Sequence, residues 1–371
     1  ALDEEENDKY REPKELSAYI RSKIVNNEQY YVFIDEVQYA IKKEEIKSDR
    51  PLPLYGVLNG LLRMQNVDVY VTGSNSKLLS KDIMTEFRGR GDEVRVYPLT
   101  FKEYYGYSGG DKSERFEEYA TFGGLPLTLF RKSVEDKIQY LSDLFKEVYF
   151  KDIEERYSID LPEVLQLLTD NLCSAIGSLT NSSKLAAALK STKNVKVDSQ
   201  TIATYLEYLE ESFLFNQAKR YDVKGKKYFL YPSKYYCTDM GLRNARLNFR
   251  QQEETHAMKN IIYNELLARG FSVDVGVVDL VQSGEDGKRH QKQCEIDFVV
   301  NKGMRKYYIQ SALAVNTEDQ EKSELRPFLE TKDFFKKIIV TKSYMKPWFD
   351  DNGIYHIGLY DFLLDESVLE G

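Results

Sequence analysis

The 371-residue chain contains no G-x-x-x-x-G-K-[ST] segment. Such a loop supplies the row of backbone N–H groups and the lysine that cradle β- and γ-phosphates. Gly73-Ser74-Asn75-Ser76-Lys77 lacks the leading glycine and the loop length, and Tyr107-Ser108-Gly109-Gly110-Asp111-Lys112 does not follow a strand. Cysteine and histidine are scarce, three of each. Cys173, Cys237 and Cys294 are far apart, which argues against a zinc ribbon or a disulfide scaffold. His256, His290 and His356 are equally scattered and read as surface or packing residues. No run of about eighteen apolar residues exists, so no membrane span is expected. No secretory signal is visible, and a cytoplasmic location is expected. A formal charge of −8 argues against wholesale electrostatic capture by nucleic acid, but leaves room for a local basic patch. Tyrosine is abundant instead, 28 residues, a bias suited to half-buried positions.

What is present begins with Tyr30-Tyr31-Val32-Phe33-Ile34-Asp35-Glu36. Residues of high strand propensity run into two adjacent carboxylates. A buried strand ending in Asp-Glu suits the binding of Mg²⁺ by the first acid and polarisation of a water by the second. An ordinary strand terminus would look the same. About thirty residues later, Val67-Asp68-Val69-Tyr70-Val71 leads into Thr72, Ser74 and Asn75. Between them, Leu54 to Arg63 spaces its apolar residues for one helix face. Strand, helix, strand favours parallel pairing with a right-handed crossover. Both polar tips then fall at one carboxyl edge of the sheet, where such folds bind ligands.

This pairing resembles the Walker B and sensor-1 strands of AAA+ ATPases. The resemblance sharpens through Phe87-Arg88-Gly89-Arg90, the expected strand Glu93–Tyr97, Pro98-Leu99-Thr100-Phe101-Lys102-Glu103, and Gly123-Gly124-Leu125-Pro126. Their order is similar to one prokaryotic branch of AAA+ proteins with a C-terminal, restriction-endonuclease-like domain of unknown function. The resemblance implies ATP and Mg²⁺ as cofactors, Asp35 on the metal and Glu36 as catalytic base. It implies Thr72, Ser74 and Asn75 as the sensor cluster. Arg90, and less directly Arg88, would reach a neighbouring subunit's nucleotide as an arginine finger, which requires a homo-oligomer. A surface charge pair is the plainer reading of these arginines. In the family, the phosphate loop precedes the Asp-Glu strand by several dozen residues. Here the chain opens at Ala1, about thirty residues before it. Either the loop lies upstream, or the chain is a variant that has lost nucleotide binding.

The expected class is α/β. Residues 1–105 read as a partial P-loop-type parallel sheet, and residues 106–160 as a helical lid broken at Gly-Gly-Leu-Pro. Residues 161–250 read as a winged helix-turn-helix. Helices are expected over Pro162–Ala175, after the cap Thr180-Asn181-Ser182-Ser183, and from Asp198-Ser199-Gln200. Phe213-Leu214-Phe215 and Lys227 to Pro232 are expected to pair around a basic turn. Ser199, Gln200, Thr201 and Thr204 would face a DNA groove, with Lys219, Arg220, Lys224, Lys226 and Lys227 on phosphates. Glu207, Glu210 and Glu211 oppose that approach, so packing or protein contact is an equal alternative.

Residues 255–371 suggest a PD-(D/E)xK-like α/β domain. A helix, Asn260–Arg269, ends at Gly270, and strands follow at Phe271–Val277, Glu295–Val300 and Lys306–Leu313. The last two form a hairpin turning at Asn301-Lys302-Gly303. Glu265, Asp297 and Gln310 occupy the acid and amide positions of the nuclease motif, and Ala312 stands where its lysine belongs. The expectation is a degenerate site in which these three converge with no ammonium beside them. Lys306 is a weak substitute. Three functions remain open: an ATPase, a module that binds nucleic acid or protein without catalysis, and a metal-dependent nuclease. A lysine supplied from a neighbouring element would revive the third.

Overall fold

The computed structural model describes residues 1–42, 45, 51–73, 91–193, 195–229, 231–250, 253–283, 289–313, 318–343 and 346–370. The chain forms two units. One comprises Ala1–Val96 with Glu211–Phe213, the other Tyr97–Glu210 with Leu214–Gly371.

In the first unit, α1 (Pro13–Lys23) precedes β1 (Tyr30–Ile34), α2 (Pro53–Leu61) and β2 (Val67–Val71). The two strands pair in parallel, Tyr30 opposite Val67 and Ile34 opposite Val71. Leu16, Ile20, Ile34, Leu54, Leu58 and Leu61 make the core on one face. The other face is open: Tyr31, Phe33 and Tyr70 are exposed. Phe33 stacks on Tyr70 with ring centroids 4.9 Å apart. Among the described residues, neither strand has a second neighbour.

Glu93–Tyr97, expected as a strand, carries no regular structure. Its alternation suits a sheet, but Val94 and Val96 are exposed. Among the described residues it finds no ladder to satisfy its backbone.

The second unit opens with α3 (Phe101–Ser108), α4 (Lys112–Phe122), α5 (Pro126–Phe130) and α6 (Val134–Asp143). A π turn, Leu144–Phe150, joins α6 to α7 (Lys151–Tyr157). Thr100 and Glu103 form a capping box on α3, which gives the Pro-Leu-Thr-Phe-Lys-Glu motif a structural purpose. Next come α8 (Pro162–Ser174), α9 (Ser182–Lys193) and α10 (Ser199–Glu211). Asn181 caps α9 by accepting the Lys184 N–H at 2.7 Å. Asp198 caps α10 through the Thr201 N–H at 2.8 Å.

The strands after α10 correct the expected hairpin. β3 (Phe215–Ala218) pairs with β6 (Lys234–Cys237), Phe215 opposite Cys237. β4 (Arg220–Asp222) pairs with β5 (Lys227–Tyr228). The basic turn therefore belongs to β4 and β5, which join the large sheet. That sheet is completed by β7 (Ser272–Ser283), β8 (Arg289–Lys302), β9 (Arg305–Ala312), β10 (Lys336–Thr341), β11 (Trp348–Phe349) and β12 (Tyr355–Gly358). Its order is β11-β12-β10-β9-β8-β7-β4-β5. β7, β8 and β9 are antiparallel, and β9, β10 and β12 run parallel.

The unit is completed by the helices α11 (Met240–Arg246), α12 (Glu254–Ala268), α13 (Glu318–Leu329) and α14 (Leu359–Leu364). One core runs from Phe101 on α3 through Leu168, Leu206 and Ile262 to Phe362. A smaller core on the other face of the sheet holds Ile296, Val299, Tyr308, Leu325 and Phe328.

Candidate functional site

The parallel register of β1 and β2 sets their polar ends side by side. The ladder continues past the strands, with the Thr72 N–H on the Ile34 carbonyl at 3.0 Å and the Val37 N–H on the Thr72 carbonyl at 2.9 Å. Thr72 Oγ1 donates to Asp35 Oδ1 and accepts the Glu36 N–H at 3.2 Å. One hydroxyl thus ties both acidic residues to the neighbouring strand. Glu36 sits at φ 53°, ψ 48°, the left-handed region. That costs a non-glycine residue about 1–2 kcal/mol, and such strain concentrates at functional sites. Asp35 is exposed and Glu36 half-buried, with Gln38 Nε2 donating to the Glu36 carboxylate. Ser74, Asn75, Arg88 and Arg90 lie outside the described residues.

This geometry suits a metal-bound phosphate only in part. Asp35 is an exposed oxygen donor and Glu36 an adjacent acid. Among the described residues no three His, Cys, Asp or Glu side chains gather as a metal site. A phosphate group would have to complete the shell, and the sequence offers no glycine-lysine loop to hold it.

The second cluster corrects the expected nuclease-like triad. Asp297 is 1 % exposed. Its Oδ1 meets Lys259 Nζ at 2.5 Å and its Oδ2 accepts the Ser311 N–H at 3.0 Å. Gln310 Oε1 accepts the Asp297 N–H at 3.1 Å, and Gln310 Nε2 donates to Glu324 at 2.6 Å. An ammonium does therefore stand beside Asp297, contributed by α12 and not by Ala312 or Lys306. Burial works against the Lys259 charge, but Asp297 outweighs it and raises the lysine above its ordinary value. Burial likewise raises the Glu324 carboxyl, opposed by the Gln310 hydrogen bond.

Glu265 does not join this group. Arg269 Nε donates to it at 2.7 Å, and the same guanidinium donates to the Phe362 carbonyl at 2.7 Å. Burial raises the Glu265 carboxyl, and Arg269 opposes the shift. Six residues along a helix place Lys259 and Glu265 about 120° apart. Only one of them can meet Asp297. Lys306 lies instead over the rings of Tyr221, Phe335 and Tyr308.

Sequence reasoning missed Lys259 and Glu324. Lys259 has a weak signal, a charge between Met258 and Ile261, both buried. Glu324 has none. It also missed Asn260, fully buried, which accepts the Cys237 N–H at 2.8 Å and donates to its carbonyl at 2.7 Å. That pair fastens α12 to β6.

The Gly-Gly-Leu-Pro motif has a structural use. Gly123 takes φ 77°, and a Cβ there would collide with the Asp239 carboxylate. Asp239 accepts the Gly124 N–H at 2.7 Å and the Leu242 N–H at 3.1 Å. Complete burial pushes its carboxyl up to about 6, against those backbone hydrogen bonds.

With this geometry in view, the chain can be compared with known proteins. An uncharacterized protein of Haemophilus influenzae is 32% identical over 361 residues, covering 95% of this chain and 82% of that one. The chain belongs to one family with it. An AAA domain matches residues 1–105, so the family is AAA-like at its N-terminal end. A domain of unknown function, DUF8612, matches residues 113–253. The uncharacterized protein MJ1544 of Methanocaldococcus jannaschii is 27% identical over 267 residues, covering 69% of this chain and 57% of that one. Among solved structures, the Walker-type ATPase PABY2304 of Pyrococcus abyssi aligns with 63% of this chain and 66% of its own, at 15% identity and a TM-score of 0.41. That likeness is too loose to carry an argument. Among the described residues, no helix is long and apolar enough to cross a membrane.

Proposed function

We propose that this protein is an AAA+ type ATPase of the cytoplasm whose acid pair is Asp35 and Glu36. One observation carries the reading: a single Thr72 hydroxyl joins the Asp35 carboxylate to the Glu36 backbone across two parallel strands. Mg-ATP, when bound, supplies a phosphorus open to attack and a cation that neutralises its oxygens. Asp35 would help hold the cation, oriented by Thr72. Glu36, displayed by its left-handed backbone, would take the proton of the attacking water. Ser74 and Asn75 would sense the γ-phosphate. Arg90 or Arg88 would stabilise charge in a neighbouring subunit of a homo-oligomer. All of this needs a phosphate loop, which these residues do not contain.

Calorimetry with Mg-ATP tests the reading in two arms. Residues 1–371 alone should bind more weakly than about 1 μM, or not at all. With a phosphate-loop segment joined ahead of residue 1, binding should appear and depend on Mg²⁺. Asp35→Ala should remove that dependence. Tight binding by residues 1–371 alone, or unaltered Mg²⁺ dependence in Asp35→Ala, contradicts the assignment.

A second reading concerns the C-terminal half. We infer a restriction-endonuclease-like domain that binds without cutting, next to a winged-helix segment over 161–250. Lys259 does supply an ammonium from a neighbouring helix, but Glu265 is held apart by Arg269, and this separation of the motif's acids supports binding without cutting. Each Asp297 oxygen already holds one partner, and a metal would have to compete with the Lys259 ammonium for Oδ1. Incubation with plasmid and single-stranded DNA in Mg²⁺ or Mn²⁺ should give no cleavage. Cleavage abolished by Asp297→Ala would make the protein a nuclease.

A further inference from the structure

The end of the large sheet near the β4–β5 turn carries a cluster unlike the rest of this acidic chain. Lys306 Nζ lies 4.8 Å from the ring centroid of Tyr221, 5.3 Å from Phe335 and 5.7 Å from Tyr308. Tyr221 packs on Tyr228 at 5.2 Å, and Tyr308 meets Phe335 edge-on at 6.0 Å. The two tyrosine hydroxyls are held down: Tyr228 donates to Asp274 at 2.9 Å and Tyr308 to Asp333 at 2.7 Å. These bonds fix the rings, and the ring of Tyr228 stays exposed.

The flanking turns add exposed apolar groups. Met304 in the β8–β9 turn is 101 % exposed and Phe334 before β10 is 105 % exposed. Phe334 is adjacent to Phe335, and grouped apolar exposure, unlike a single exposed ring, marks an interaction surface. Charge converges on the same place. Lys219 and Lys306 both act on Asp274, and Lys226 acts on Lys306. Lys227 follows on the exposed β5 edge. Lys219, Lys226, Lys227 and Lys306 thus gather with Asp222, Asp274 and Asp333, in a chain whose total is −8.

We propose that this lysine-and-aromatic surface binds single-stranded nucleic acid. Unpaired bases would stack on Phe334, Phe335 and Tyr228, while Lys219, Lys226 and Lys227 meet the phosphates. The exposed rings decide between partners. A duplex keeps its base faces stacked inside and would leave Phe334 and Tyr228 idle. An acidic peptide would satisfy the lysines and do the same. The surface lies on β4, β5, β9 and the approach to β10. It stands independently of any nucleotide chemistry in the first unit.

The test is fluorescence anisotropy with a labelled oligo-dT of about 20 nucleotides and a duplex of equal length, between about 50 and 200 mM salt. The protein should bind the single strand more tightly than the duplex. Lys226→Glu/Lys227→Glu should weaken binding about tenfold and reduce the salt slope by roughly 1.4. Phe334→Ala should weaken it about fivefold with the slope unchanged, the pattern of lost stacking. Phe334 is wholly exposed, so this variant should melt like the parent. Lys14→Glu, on an exposed helix face of the other unit, should change nothing. Failure to bind the single strand in low salt, equal or tighter duplex binding, or parent-like binding by both test variants would overturn the proposal.

Discussion

Asp35 and Asp297 are both aspartates at β-strands, yet their surroundings are opposite. Asp35 projects from the end of a two-stranded sheet, exposed, with one hydroxyl donor and an adjacent strained glutamate. Asp297 lies inside an eight-stranded sheet, with an ammonium on one oxygen and a backbone N–H on the other. A buried carboxylate paired with an ammonium contributes to folding, and a ligand reaches it only in competition with that pair. One displayed at a strand tip contributes little to folding and remains free to act. The motif letters do not separate these cases; the partners do.

The largest expected effect breaks the buried network. Asp297→Ala would leave Lys259 without its carboxylate and the Ser311 N–H unsatisfied, at a cost of about 3 kcal/mol in denaturant unfolding. Lys259→Met should cost nearly as much. Lys259→Met/Asp297→Ala should cost less than the sum of the two single changes, with a coupling of about 1–3 kcal/mol. Strict additivity would show that the pair is not energetically joined.

Gly123→Ala comes next. It would force alanine into φ 77° and drive its Cβ into Asp239. A loss of about 2 kcal/mol is expected. Parent-like stability would mean the motif is not held as described.

A pH scan sharpens the same region. Asp239 has an ordinary value of 3.8 and a folded value of about 6. The native state therefore binds more protons than the unfolded state between those values. Stability from this group is full below about pH 4 and is lost as pH rises through about 6, on the order of 3 kcal/mol. Glu265, Glu324 and Asp274 are also raised, by burial first, and add slopes of the same sign. Subtracting the Asp239→Asn profile from the parent profile isolates the one group. A flat difference between pH 4 and 6 would remove Asp239 from the account.

The smallest effect lies in the first unit. Glu36→Gly should relieve the left-handed strain and raise that unit's stability by up to about 1 kcal/mol. A destabilised variant would mean the Gln38 contact outweighs the strain.

Much of this was legible in the sequence because it depends on local period. The strand-helix-strand of β1, α2 and β2 follows from alternation and helical spacing, and that fixes which tips meet. The caps at Asn181 and Asp198 follow from side chains that bond nearby backbone. What was illegible depends on non-local partners. β5 has two residues and carries no period, so its pairing with β4 had no signature, and β3 found its partner at Cys237 across an intervening hairpin. Glu93–Tyr97 has a strand's pattern but no neighbour among the described residues. Glu265 was placed with Asp297 because acids in the right order say nothing about helix face. Lys259 stood six positions earlier, on the face that counted.

Turnover tests the central claim most directly, namely that Glu36 is a catalytic base displayed beside Asp35. ATP hydrolysis should be measured with a phosphate-loop segment joined ahead of residue 1, comparing the parent with Glu36→Gln. The account predicts that Glu36→Gln still binds Mg-ATP and loses hydrolysis by about 100-fold or more. Unchanged turnover in Glu36→Gln would contradict it.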